Sequence, residues 1–262
     1  MIYKKEVISP YPYPNLIAHR GAGRAAPENT LAAFRYGSQK GFTMFECDVK
    51  LSQDQELFLL HDSTLMRTTN GVGNASEKSW EELSRLDAGS WHSAHYSGEP
   101  LARFEGIIDF IINNHYLLDV EIKPNPGEAY KTGVAIASFL QKKHLKLSAQ
   151  NTDLYDSPFL LSSFLPEALR GAKEIAPEIP RALLVDSGSQ GEVQIFEQIS
   201  ELECAGIILN YQIVTPKIVE KAHQMSLFVM VYTANEPLLI EQLLQMGVDS
   251  IITDNMEINL KR

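Results

Sequence analysis

Short apolar runs alternate with helix-length amphipathic stretches along almost the entire chain, and few folds tolerate that rhythm. The runs fall at 16–19, 44–49, 116–122, 159–164, 182–185, 206–209, 227–232 and 248–253, which makes eight candidate strands. Between them the pattern predicts helices at about 29–40, 105–114, 129–143, 166–175, 191–203, 215–226 and 236–246, several opening on Pro or Asn and closing on Gly. Strand and helix in turn require a parallel sheet covered by helices. Eight such units in 262 residues fit an α/β fold of the (β/α)8 TIM-barrel type, for which roughly 250 residues is typical. An open doubly wound sheet fits less well, because it usually shows a glycine-rich nucleotide loop after its first strand. Here Gly21-Ala22-Gly23-Arg24 also lacks the Gly-Lys-Ser/Thr ending of a nucleotide-hydrolysing loop.

The rhythm breaks once, over 53–104. That interval reads as a turn at 53–55, a short strand at 57–61, a loop-rich stretch containing Asn70-Gly71, and a helix start at Ser79 with Glu82 three residues on. Barrels carry such insertions at strand ends, where functional loops lie. The chain therefore reads as one barrel domain over 1–262, with a small subdomain inserted after the second strand at about 62–104. The polar stretch 148–158 reads as a longer loop.

Charge narrows the partners. With 23 Lys+Arg against 33 Asp+Glu, a formal net charge of −10 repels phosphate backbones and anionic membranes, so neither nucleic acid nor stable membrane association is expected. Cys47 and Cys204 are too few for a disulfide framework and read as buried thiols. No uncharged apolar run approaches the roughly 18 residues of a membrane span, and no apolar leader is visible before Pro14. These readings make a cytoplasmic protein the expectation; oligomeric state is not legible in them.

Chemistry-bearing residues sit at the ends of the apolar runs. Strand side chains alternate, so Glu46 and Asp48 share one face while Cys47 and Val49 take the other. Two carboxylates side by side in an apolar strand need a cation or a proton between them, or else a solvated strand end, and the pattern leaves both open. In the third long run Asp119, Glu121 and Lys123 share a face, and Pro124 marks the strand's carboxyl end. A barrel gathers those ends at one mouth, where Glu46, Asp48 and Glu121 can converge on a hard divalent cation such as Mg²⁺, Ca²⁺ or Mn²⁺. His19 and Arg20 follow the first run, and His61-Asp62 ends the short strand. Arginine and lysine suit phosphate oxygens, and histidine exchanges protons near neutral pH. A surface His-Arg pair and a capped strand end are the alternatives at these two places. His92 and His95 lack a third metal ligand nearby, and Gly-x-Ser-x-Gly does not occur.

Taken jointly, His19-Arg20-Gly21, Pro27-Glu28-Asn29-Thr30, Glu46-x-Asp48, His61-Asp62, Arg67-Thr68-Thr69-Asn70-Gly71 and Glu121-Ile122-Lys123 resemble the glycerophosphodiester phosphodiesterase family, in its short cytoplasmic bacterial form. The resemblance runs in order from Ile17 to Asp254. It implies a (β/α)8 barrel with a small inserted subdomain, and hydrolysis of a glycerophosphodiester to glycerol 3-phosphate and an alcohol. It further implies His19 and His61 as the acid/base pair, Glu46, Asp48 and Glu121 as ligands of one divalent metal ion, and Arg20 and Lys123 against the phosphate. Ser163, Phe164 and Tyr232 match segments that line the family's pocket. Either water or the neighbouring glycerol hydroxyl would serve as nucleophile. Two departures stand out: Asp54-Gln55 where relatives commonly show Asp-Gly, and Tyr232 where tryptophan is frequent. The alternatives are a related barrel lysophospholipase D or phospholipase, and a non-catalytic phosphate- or metal-binding barrel.

Overall fold

The computed structural model describes residues 11–148, 157–187 and 191–258. Strand β1 (Leu16–Ala18) leads through a tight turn to helix α1 (Leu31–Gln39), then β2 (Met44–Leu51) and the short β3 (Leu57–Leu59). After the insertion with helix α2 (Trp80–Leu83) come α3 (Phe104–Asn113), β4 (Leu117–Ile122), α4 (Ala129–Ser148), β5 (Phe159–Ser163) and α5 (Pro166–Ile175). The chain finishes with β6 (Arg181–Val185), α6 (Glu192–Glu201), β7 (Gly206–Asn210), α7 (Pro216–Gln224), β8 (Phe228–Tyr232), α8 (Pro237–Gln245) and β9 (Ser250–Thr253). Among the described residues, eight parallel strands pair in the order β1, β9, β8, β7, β6, β5, β4, β2, and a β1–β2 pairing at Ala18 and Phe45 closes the barrel. The short β3 runs antiparallel against the end of β2.

Local sequence explains the element boundaries. The Thr30 side chain accepts a hydrogen bond from the Ala33 amide at the start of α1, and Pro166, Pro216 and Pro237 open α5, α7 and α8 where a missing N–H costs nothing. Ser79 and Glu82 form the reciprocal capping box at α2. Gln55, at the departure from Asp-Gly, adopts φ 68, the left-handed turn that glycine enters without strain. Most boundaries differ from the sequence reading by a residue or more, and two of them have a clear local cause. The first strand stops at Ala18, because His19 already enters a 3-10 turn whose Arg20 has φ 50, and α4 continues past 143 because no Gly or Pro follows to stop it. Of the loop expected at 148–158, residues 149–156 lie outside the described residues, as do 1–10.

Strand alternation sorts the core into two shells. Phe45, Cys47, Val49, Leu118, Val120 and Ile122 face outward and pack under the helices, while Ile17, Met44, Leu117, Leu160, Ile208, Met230 and Ile252 fill the barrel interior. Tyr11 and Tyr13 pack into the interior shell against Phe228, with ring centroids 5.6 Å from it, and the Tyr11 hydroxyl shares a 2.7 Å hydrogen bond with Ser250. These two tyrosines close the amino-terminal end of the barrel. The opposite end is left to polar residues.

The insertion packs a small core of its own, Leu65, Ala75, Leu83, Ala88 and Leu101 beneath Phe58 and Leu60. It is also tied to the loop after β1 and to the first turn of α1: the His92 ring meets the Arg24 carbonyl (3.0 Å), and the Ala32 amide donates to Glu99 (2.9 Å). No helix among the described residues is long and apolar enough to cross a membrane.

Candidate active site

Along each inward row, apolar residues give way to charged ones toward the carboxyl end of the strand. On β2 the inward row reads Met44, Glu46, Asp48, Lys50, and on β4 it reads Leu117, Asp119, Glu121. Pairing sets Glu46 level with Asp119 and Asp48 level with Glu121. Ligand oxygens of Glu46, Asp48 and Glu121 all lie within 4.8 Å of one another. Glu46 and Asp48 are buried, and the Glu121 side chain is only 12% exposed. Such crowding raises the carboxyl pKa values. Burial and the Asp48 and Glu121 charges push Glu46 well above its ordinary value, and burial with Asp48 pushes Glu121 up to about 7. Asp48 behaves oppositely: burial would raise it, but Arg20, Lys123, His61 and the Asn29 amide together hold it below the usual carboxylate range.

The donor set fits a metal. Glu46 Oε1 and Asp48 Oδ1 are buried without a hydrogen-bond partner, although the Lys123 ammonium lies 3.3 Å from the latter. Buried oxygens left unsatisfied beside a third carboxylate are what a hard, oxygen-seeking divalent cation would complete.

Both histidines reach this mouth with an aspartate behind them. His19 Nδ1 lies 2.7 Å from Asp254 Oδ1, and Asn235 fixes that aspartate by donating to Oδ2 (3.0 Å) and accepting from its amide (2.8 Å). His61 Nδ1 lies 2.7 Å from Asp62 Oδ1. Burial raises and His19 lowers the Asp254 pKa, for a net lowering; Asp62 is held low chiefly by Arg67, with His61, against the burial that would raise it. An ionised carboxylate only accepts, so the proton of a neutral ring sits on Nδ1 and leaves Nε2 as the acceptor. Burial, with Arg20 and Lys123 nearby, also lowers the His61 pKa despite the Asp48 charge. The imidazole is thereby biased toward its neutral form.

Arg20 and Lys123 flank the carboxylates. The Arg20 amide donates to Glu46 Oε2 (2.9 Å), its Nη1 to Glu28 (2.8 Å), and its Nε lies 3.3 Å from Asp48 Oδ2. The Asn29 side chain brackets Asp48, donating to Oδ2 (2.8 Å) and accepting from its amide (3.1 Å). Lys123 reaches Glu121 at 2.8 Å and sits 5.8 Å over the Phe164 ring.

A cavity of about 160 Å³ opens between these groups, lined by His19, Arg20, Glu46, His61, Asp119, Glu121, Lys123, Ser162, Phe164 and Tyr232 among others. Phe164 and Tyr232 meet edge to face at 5.8 Å and form its apolar wall. Ser163 does not line it. The register sets Ser162 level with inward-facing Glu121, so Ser163 turns outward and donates to the Ile122 carbonyl (3.0 Å); Ser162 takes the expected place and donates to Asp119 (2.7 Å). A wider depression of about 870 Å³ lies between α6 and α7, but its Lys217 and Lys221 are paired with Glu192 and no imidazole lines it. Convergent chemistry, rather than volume, singles out the barrel mouth.

Three contributors escaped sequence reasoning. Asp254 is legible only as a carboxylate after the last strand, Glu28 only as part of a motif, and Lys50 only as the next inward residue after Asp48. Lys50 is buried and donates to the His61 carbonyl (3.2 Å) and the Asp62 carbonyl, anchoring the turn that carries the histidine.

A parallel barrel with this mouth defines a (β/α)8-barrel hydrolase, and known proteins of the same architecture agree. An Oleispira antarctica phosphodiesterase, solved in complex with the product sn-glycerol-3-phosphate, matches with a TM-score of 0.82 at 32% identity, over 92% of this chain and 93% of that one. A glycerophosphodiester phosphodiesterase from Agrobacterium tumefaciens matches with a TM-score of 0.73 at 26% identity, over 93% of this chain and 97% of that one. In sequence, a glycerophosphodiester phosphodiesterase of Caldanaerobacter subterraneus is 30% identical over 249 residues, 94% of this chain and 97% of the relative. The profile of the glycerophosphoryl diester phosphodiesterase family matches residues 19–258, and the chain belongs to that family. It is an enzyme of the phosphoric diester hydrolase class, as the ordered motifs implied.

Proposed function

We propose that the barrel mouth hydrolyses glycerophosphodiesters, such as glycerophosphocholine and glycerophosphoethanolamine, to sn-glycerol 3-phosphate and the free alcohol, with His19 and His61 as acid/base pair and Glu46, Asp48 and Glu121 holding one divalent cation. The observation that carries this reading is the convergence of two aspartate-backed imidazoles with Glu46 and Glu121 on one small cavity, with Asp48 buried beside those two carboxylates and its oxygen within 4.8 Å of theirs. When bound, the divalent cation supplies Lewis-acid and orienting chemistry and turns a net-negative mouth receptive to a phosphodiester anion. Arg20 and Lys123 then face the phosphoryl oxygens, where positive charge counts most as negative charge builds in the transition state. Nε2 of one histidine takes the proton of the nucleophile, water or the neighbouring glycerol hydroxyl, while the other histidine, in its imidazolium form, gives its Nε2 proton to the departing alkoxide. On the glycerol-hydroxyl route water then opens the cyclic phosphate to sn-glycerol 3-phosphate. Phe164 and Tyr232 offer an apolar face to the carbon skeleton of the substrate.

The test is to strip the purified protein with a chelator and follow sn-glycerol 3-phosphate release from glycerophosphocholine as Mg²⁺, Ca²⁺ or Mn²⁺ is returned. Release restored by a cation supports the reading and identifies the ion. Absence of release with every cation, across several head groups and lysolipids, would overturn it.

A further inference from the structure

Arg67 lies outside the cavity, yet its guanidinium makes four hydrogen bonds to two carboxylates. Its Nη1 and Nη2 donate to the two oxygens of Glu28 at 2.7 and 2.8 Å, while Nε and Nη2 donate to the two oxygens of Asp62 at 2.7 and 2.9 Å. Each of those carboxylates has a second partner at the reacting centre: Asp62 holds His61 at 2.7 Å, and Glu28 holds Arg20 at 2.8 Å. We propose that Arg67 is a positioning residue that sets the His61 imidazole and the Arg20 guanidinium in register with each other, a role that rests on the acid/base and phosphate roles assigned above.

Geometry explains why this task falls to arginine. A planar guanidinium grips two carboxylates at once through its fixed fork, whereas an ammonium is a point charge with no preferred plane. Glu28 and Asp62 come from different parts of the chain, the loop after β1 and the start of the insertion, and the same guanidinium spans both. Without it, two carboxylates would face each other across the gap, and repulsion would swing Asp62 away from His61 Nδ1. Arg67 is itself 43% exposed, so solvent screens the charge–charge energy. Its effect therefore falls on alignment at the mouth more than on global stability.

Arg67→Ala is expected to lower kcat by about 10- to 100-fold with little change in KM, as small misplacements of reacting groups do. Arg67→Lys should recover little of that loss, while added guanidinium ion should restore Arg67→Ala and leave His61→Ala unaffected. In a double-mutant cycle Arg67→Ala should cost clearly less on top of His61→Ala than it does alone, because the share acting through Asp62 and His61 is already gone and only the share acting through Glu28 and Arg20 remains. Wild-type kcat in Arg67→Ala, or a loss that multiplies fully with that of His61→Ala, would overturn the proposal. If Arg67→Ala does not fold, Arg67→Lys enters the same cycle and is judged by the same criterion. Wild-type turnover in His61→Ala would remove the acid/base reading itself, an outcome distinct from the failure of Arg67 alone.

Discussion

At the residue scale, the paired use of aspartate behind histidine governs what the mouth can do. Asp254 and Asp62 each occupy Nδ1 of one imidazole, so on the proposed acid/base reading the other nitrogen of each ring would exchange the proton. Removing either ring should therefore be felt in turnover and not in folding. His19→Ala and His61→Ala are each expected to lower kcat by about 10²-fold or more, with an unchanged circular dichroism spectrum, in a coupled assay for sn-glycerol 3-phosphate. The strained backbone at Arg20 belongs to the same logic, since φ 50 is what turns its amide toward Glu46 while its side chain reaches Glu28 and Asp48. Ser163 illustrates the opposite case. A shift of one residue along a strand moves a hydroxyl from the cavity to the helix side, and no property of the serine pair itself reveals which is which.

At the element scale, the site depends on how closely the first loop packs on the last strand. Gly23 has φ 56, and a Cβ there would lie 2.3 Å from the Asp254 Cα. Gly23→Ala is expected to displace the end of β9 and loosen the Asp254–His19 bond, seen as a fall in kcat larger than any shift in thermal midpoint would explain. The closed end of the barrel behaves differently. Tyr13 is buried against Tyr11 and Phe228 at the end of the barrel opposite the histidines, although the Asp119 charge still acts on it. Tyr13→Ala should lower stability by about 3 kcal/mol in urea denaturation, as a large buried ring does on truncation, with kcat per folded molecule preserved.

At the scale of the whole molecule, the crowded carboxylates make stability depend on pH and, on the proposed reading, on a bound cation. Burial raises Glu121 and Asp119 to about 7, and Glu46 is raised as well, whereas an unfolded chain ionises these groups near their ordinary values of 3.8 to 4.5. The folded state then binds more protons than the unfolded state between those limits, so stability is present at low pH and lost as pH rises through about 7. His61, with its lowered pKa, acts in the opposite sense only as pH falls below its ordinary value of 6.5. In a chelator, the thermal midpoint is expected to fall between about pH 6 and pH 8. Saturating divalent cation should raise the midpoint, and by more at pH 8 than at pH 6, because bound metal favours the ionised carboxylates. Scanning calorimetry or dye-monitored melting at the two pH values checks both signs; a cation effect that is absent at pH 8 would remove the metal from this cluster.

Much of this was open to reading along the chain because strand and helix periods are local properties. The period of two puts Glu46 with Asp48, and Asp119 with Glu121, whatever surrounds them, and Pro166, Pro216, Pro237 and the Ser79–Glu82 box mark helix starts without reference to distant residues. Partnerships across the barrel had no such signature. His19 and Asp254 are 235 residues apart, Arg67 reaches back 39 residues to Glu28, and the choice of Ser162 over Ser163 depends on the register between β4 and β5. The two long-range partnerships also need the pairings of β1 with β2 and β9 before their groups can meet. Local sequence determines which way a side chain points along its own element; only closure of the barrel determines what it points at.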